Sequence, residues 1–109
     1  MKIVHVFAGV PVTDHASAWR WYERLFGRAP DMVPQEGESV WHLATEASIY
    51  VVEDHARAGS ALLTLAVADL DEHLAQLAAR MVEAEIVPGT PRRAVVIDPD
   101  GNRITFFET

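Results

Sequence analysis

The chain has 109 residues, half of them hydrophobic, with 16 acidic and 9 basic side chains and a formal net charge of −7. That length and apolar content suit one domain with its own core, while the negative field repels phosphate backbones and anionic lipid, so neither nucleic acid nor a membrane is an expected partner. The absence of cysteine excludes thiol catalysis, disulfides and thiolate metal sites; with no signal peptide and no apolar run of bilayer length, the cytoplasm is the expected location.

In chain order, residues 2–10 are rich in Val and Ile and predict a buried strand. A helix is expected over 14–26, with Asp14 or Thr13 as cap and Ala18, Tyr22, Leu25 and Phe26 as its apolar stripe. Trp19 lies alongside, and Gly27 marks the stop. Arg20, Arg24 and Arg28 recur at helical spacing and read as a solvated face. Strands are expected at 31–36, 39–44 and 47–53, followed by a connector at 55–59. Then come a strand at 60–68 and a helix at 70–84, the latter burying Leu70, Leu74, Leu77 and Met81. Asp69 and Glu72 form a variant capping box at its start. The last strands are expected at 85–87, 93–98 and 103–108, with a loop at 88–91. Asp98-Pro99-Asp100-Gly101-Asn102 reads as a tight hairpin turn. The rival calcium loop needs Gly sixth and Glu twelfth, whereas here Gly101 is fourth and Thr109 twelfth. His15, His55 and His73 are expected at the surface.

The second half repeats the first. Asp14 and Asp69 each open a helix after a strand, and 69 − 14 = 55. The same offset maps Val10 onto Leu65, Val12 onto Val67, Tyr22 onto Leu77, Ile49 onto Ile104 and Glu53 onto Glu108. A self-match at half the chain length implies two copies of one unit, each too small to bury its own face. Each copy reads strand, helix, strand, strand, strand, over about 1–54 and 58–109 of one domain.

Two such units, with Val10-x-Val12-x-Asp14 leading into Trp21-Tyr22-Glu23-x-Leu25-Phe26-Gly27 and the ending from Asp98 to Glu108, resemble the vicinal oxygen chelate superfamily. That superfamily holds glyoxalases, extradiol dioxygenases and bleomycin-resistance proteins. The resemblance implies an α+β fold in which two tandem βαβββ modules form a curled, barrel-like cup, and it implies a homodimer. It also implies where metal-dependent members place their four ligands. In this sequence those places hold Phe7, Tyr50, Leu62 and Thr105. None is an imidazole or a carboxylate, so no metal or other cofactor is expected.

Alternation along the strands then sets the lining of the cup. With Phe7 inward, His5 and Gly9 follow, and Val4, Val6, Ala8 and Val10 meet the helices. Ser48, Tyr50, Val52, Ser60, Leu62, Thr64, Arg103, Thr105 and Phe107 share the cup face, joined by Trp41 or His42 according to register. Of these, His5, Phe7, Tyr50, Val52, Leu62, Arg103, Thr105 and Phe107 are the expected ligand-binding residues. Aromatic walls with few polar points suit a small, flat, partly apolar molecule, and Arg103 favours an anionic or carbonyl-bearing one.

Three functions compete. The first is a metal-free binder that sequesters a drug or metabolite. The second is an enzyme with lyase, isomerase or dioxygenase-like chemistry, using shifted ligands or none. His5 would be its acid–base group, and a displaced metal would draw on His5, His42 and Glu53 or Glu108. The third is a dimeric module whose cup is plugged by its own side chains.

Overall fold

The computed structural model describes residues 1–109. The first module contains β1 (Val6–Val12), α1 (His15–Phe26), β2 (Met32–Gln35), β3 (Glu38–Ala44) and β4 (Ala47–Glu53). The second contains β5 (Leu62–Val67), α2 (Leu70–Ala79), β6 (Glu85–Val87), β7 (Arg93–Ile97) and β8 (Arg103–Glu108). Each module folds into one four-stranded mixed sheet, in the order β1-β4-β3-β2 and β5-β8-β7-β6. The outer pair of each is parallel and the rest antiparallel. The fold is α+β with two tandem modules, as expected. The sheets remain open and no strand of one bonds to a strand of the other, so one chain does not close a barrel.

The duplication persists in atomic detail. Phe7 pairs with Ser48 and Gly9 with Tyr50; adding 55 gives Leu62 with Arg103 and Thr64 with Thr105, the observed pairs. The Glu53 carboxylate accepts from the first helical N–H, that of His15, at 3.1 Å, and Glu108 does the same for Leu70 at 2.9 Å. Both acids therefore point to the helix side, as alternation requires. There they satisfy orphan donors and complement the positive end of each helix. Asp14 and Asp69 cap the same turns through Ala16 N and Glu72 N.

The repeat fails at the helix ends. Gly27 adopts the left-handed conformation that closes α1. The second module has no glycine at that point, so α2 stops at Ala79, Arg80 is its cap and Met81 takes φ +61°. Met81 is consequently exposed and is not part of the buried stripe expected from spacing. Another correction concerns β1, which starts at Val6 and not at residue 2. Val4 and Val6 were expected to meet the helices but are 69% and 58% exposed: Val4 precedes the first strand, and Val6 borders an open trough that it shares with Phe26 and His73.

One core joins the modules. It holds Val10, Val12, Ile49 and Val51 from the first sheet, Tyr22 and Leu25 from α1, Leu70 and Leu77 from α2, and Ala94, Val96, Ile104 and Phe106 from the second sheet. Trp41 sits fully buried among Tyr22 and Phe26, and its indole N–H donates to Arg28 O at 3.0 Å. Arg80 crosses between modules and donates to the carbonyls of Arg24 and Leu25 at the end of α1.

A polar clasp locks the modules beside this core. Asp98-Pro99-Asp100-Gly101-Asn102 forms the expected turn, with Gly101 at φ +99°. The buried Asp98 carboxylate accepts from Tyr22 Oη, Asp100 N, Asn102 N and Asn102 Nδ2, at 2.7–2.9 Å. All these bonds go to protein donors, an arrangement that offsets the cost of burying the charge. Burial first, and the Asp98 charge second, push the Tyr22 hydroxyl far above its ordinary value near 10. The folded state thus holds this proton more tightly than the unfolded chain. The stability it contributes is complete below pH 10 and is lost as pH rises beyond, by about 1.4 kcal/mol per pH unit. The Tyr22→Phe variant should lose about 1–2 kcal/mol at pH 7 yet show a shallower alkaline limb in denaturant titrations at pH 9–11. Parallel limbs would contradict this account.

Candidate functional site

The sheet faces turned away from the helices carry the candidate site. On the first, β4 contributes Ser48, Tyr50 and Val52, which alternate with the buried Ile49 and Val51. His42 lies opposite Ser48 in the antiparallel β3–β4 ladder, so His42 shares this face and Trp41 belongs to the core. Phe7 is 54% exposed there. His5 stands just before β1 with its ring 4.4 Å from that of Phe7, tilted by 31°.

Three polar groups converge at this point. Ser48 is 3% exposed, and its Oγ lies 2.7 Å from His5 Nε2 and 2.6 Å from His42 Nδ1. The imidazole centres are 6.1 Å apart at 73°. Sequence alternation placed Ser48 inside without giving it a role. Only the pairing of β1, β4 and β3 reveals that a serine separates two histidines.

Tyr50 leans across Gly9. A Cβ at Gly9 would stand 2.7 Å from Tyr50 Cζ and Oη, so the missing side chain is what lets the ring lie flat. Gly9, Pro11, Tyr50, Val52, Arg57 and Ala61 line part of a cavity of about 390 Å³. On the second sheet Leu62 is 80% exposed beside Arg103, while Thr105 and Phe107 are half-buried. The cavity holding Tyr50 includes none of Leu62, Arg103, Thr105 or Phe107. It includes neither His5 nor Phe7, so of the expected residues it takes in Tyr50 and Val52 alone; His5, Phe7, Tyr50 and Val52 belong to the first module, and Leu62, Arg103, Thr105 and Phe107 to the second sheet.

The metal positions implied by the resemblance do not fit a divalent ion. Phe7 and Leu62 have no donor atom, and the neutral hydroxyls of Tyr50 and Thr105 offer too little to replace a cation's water. Nowhere do three or more His, Asp or Glu side chains converge to hold a metal. Glu53 and Glu108 are engaged at the helix starts.

Two histidines depart from the surface placement expected of them. His15 is half-buried, with Nε2 2.6 Å from Ser39 Oγ. His73 packs on Phe106, ring centres 4.2 Å apart, in an apolar trough of about 480 Å³ between the modules. Its Nε2 is buried without a partner. Burial, and then the positive charge of Arg80, hold the His73 pKa below its ordinary 6.5. The unfolded chain therefore takes up this proton first, and stability is lost as pH falls from 6.5 through the folded value. The His73→Leu variant should be more stable, by about 1 kcal/mol at pH 8 where only the unpartnered nitrogen is removed. Its advantage should widen at pH 5. A constant difference across that range, in thermal melts, would refute the burial argument.

The Glyoxalase/Bleomycin resistance protein/Dioxygenase superfamily profile matches residues 2–106. A solved glyoxalase/bleomycin resistance protein from Catenulispora Acidiphila DSM 44928 is 39% identical, with TM-score 0.93, and the match covers 97% of this chain and 98% of that one. TnmS3, an antibiotic binding protein from Streptomyces sp. CB03234, is 28% identical, with TM-score 0.78 and coverage of 99% and 98%. A bleomycin-binding protein solved with bleomycin shares the fold at 18% identity, TM-score 0.69, over 96% and 98% of the two chains. No curated protein sequence matches. The chain belongs to the glyoxalase/bleomycin resistance/dioxygenase superfamily. No helix is long and apolar enough to cross a membrane.

Proposed function

We propose that this protein is a metal-free binder of a small, flat, partly apolar molecule, serving to sequester a drug or metabolite. The observation that carries this reading is the uncovered aromatic face: Phe7 is more than half exposed and Tyr50 partly exposed on the same sheet face, at places where the resemblance implies ligands in metal-using members. An exposed aromatic surface gains when a flat apolar ligand displaces its water. The antibiotic-binding description of TnmS3, similar over nearly the whole chain, supports the same reading. A plugged cup fits poorly, since Phe7 and Leu62 are open to solvent.

The same reading includes a homodimer. The two sheets stay open and share no strand pairing, and a second copy would set Leu62, Arg103, Thr105 and Phe107 opposite Phe7 and Tyr50. A chain without cysteine also suits a reducing cytoplasm.

A thermal-shift scan of flat antibiotics and aromatic metabolites tests the binder. At least one should raise the melting temperature, and the rise should disappear in Gly9→Ala, which displaces the Tyr50 ring. Stabilisation by no soluble candidate would overturn the proposal. Light scattering tests the assembly: the native chain should run at twice its 12.1 kDa mass and Leu62→Glu as a monomer. A monomeric native chain would refute the shared site.

A further inference from the structure

We infer that the face of α1 carrying Arg20 and Arg24, together with Arg80 of the second module, is a binding site for a small molecule bearing an oligophosphate chain. It stands apart from the sheet faces described above and does not depend on what they bind. Arg20 and Arg24 lie one turn apart on α1, so their stems leave the same face about 5–6 Å from each other. Arg28 follows just past the helix end. By spacing alone these three are a solvated stripe. The fold brings them a further cation from 56 residues away. Arg80 reaches over the end of α1, where its Nε donates to Arg24 O and its Nη2 to Leu25 O. Gly27 makes room for it, since a Cβ there would stand 3.0 Å from Arg80 Nη1. The two carbonyls fix the guanidinium and leave Nη1 without a protein partner. The four arginines, with Trp21 and Glu23, line most of a concavity of about 650 Å³.

The carboxylates at hand are already engaged. Glu23 Oε1 accepts from the Trp19 indole N–H at 2.9 Å, and Asp31 pairs with Arg28 at 2.7 Å. Arg20 and Arg24 form no ion pair. Like charges one helical turn apart repel, and an anion set between them relieves that repulsion.

A guanidinium presents parallel N–H groups that match two oxygens of one phosphate. Arginines spaced by a helical turn suit successive phosphates of a chain better than one isolated anion. The rest of the molecule limits how long that chain can be. With a formal charge of −7 overall, a nucleic-acid strand running past the concavity meets repulsion, whereas a short oligophosphate ends within it. Trp21 is the one apolar side chain of the wall, and it gives a flat group attached to the chain a surface to rest on.

Calorimetric titration at low ionic strength tests this. Tripolyphosphate should bind once per chain and about tenfold or more tighter than orthophosphate. Arg20 and Arg24 are both exposed, so Arg20→Gln/Arg24→Gln should keep its fold, and it should lose about tenfold or more in tripolyphosphate affinity. Lys2→Gln/Arg92→Gln removes the same charge elsewhere and should stay within about twofold of the native protein. Adenosine triphosphate separates two sources of the same chemistry. Binding tighter than that of tripolyphosphate marks a nucleotide held against Trp21, and equal or weaker binding marks the bare chain, both within the proposed class. Three results would overturn the site: no saturable binding of tripolyphosphate, orthophosphate bound as tightly, or equal weakening by the two double variants. The last would show attraction spread over the whole surface.

Discussion

Replacing Asn102 with Ala should cost about 3–4 kcal/mol of stability, among the largest effects available from a single polar side chain here. The residue is fully buried. Its Oδ1 accepts from Ala61 N at 2.9 Å, and its Nδ2 donates to Pro11 O and Asp98 Oδ2, both at 2.8 Å. One amide thus ties the end of β1, the entry to the second module and the hairpin turn. Truncation strands a backbone N–H, a backbone C=O and part of a buried carboxylate, in a space too enclosed for water to restore all three. The melting temperature should fall by roughly 12–16 °C, given about 4 °C per kcal/mol for a chain of this size. A loss below 1 kcal/mol in denaturant titration would show that the clasp is not what holds the modules together. The Asn102→Asp variant should also be destabilised, because its Oδ2 would face Pro11 O and the Asp98 carboxylate with no proton to give.

Gly59→Ala should be comparably damaging, by about 3 kcal/mol or more, and for a different reason. Gly59 has φ +85°, where a Cβ costs about 1–2 kcal/mol in backbone strain. An added Cβ would also lie 2.3 Å from Asp100 O, a backbone atom of the turn that cannot swing aside. Gly37 is the control. Its φ of +82° is nearly the same, but the nearest atom to a Cβ there is Glu53 Cβ at 3.8 Å. Gly37→Ala should lose only the strain, about 1 kcal/mol. Equal losses at the two glycines would show that crowding against the turn is unimportant.

The fold was largely legible because its determinants are local or periodic. Alternation correctly separated Ile49, Val51, Ile104 and Phe106, which are buried, from Tyr50 and Thr105 on the opposite face. The same logic kept Glu53 and Glu108 off that face, but not their task of satisfying Leu70 and His15 N–H groups across the module. Periodicity misled where an ending depends on more than spacing. The stripe through Leu70, Leu74 and Leu77 continues to Met81 on paper, yet without a glycine after it the chain turns at Arg80. A place on a helix predicts surface for His73, whereas burial there is decided by Phe106, 33 residues further on.

The sequence by itself determined the duplication and the side of β4 and β8 that meets the core. These follow from offset and alternation, which need no coordinates. Tertiary structure alone decided which of Trp41 and His42 meets the core, that Asn102 bridges the modules, and that Ser48 stands between His5 and His42. Each of those depends on contacts between residues 41 or more apart or on strand register across a sheet. A shift of one residue in that register would turn every such side chain to the other face.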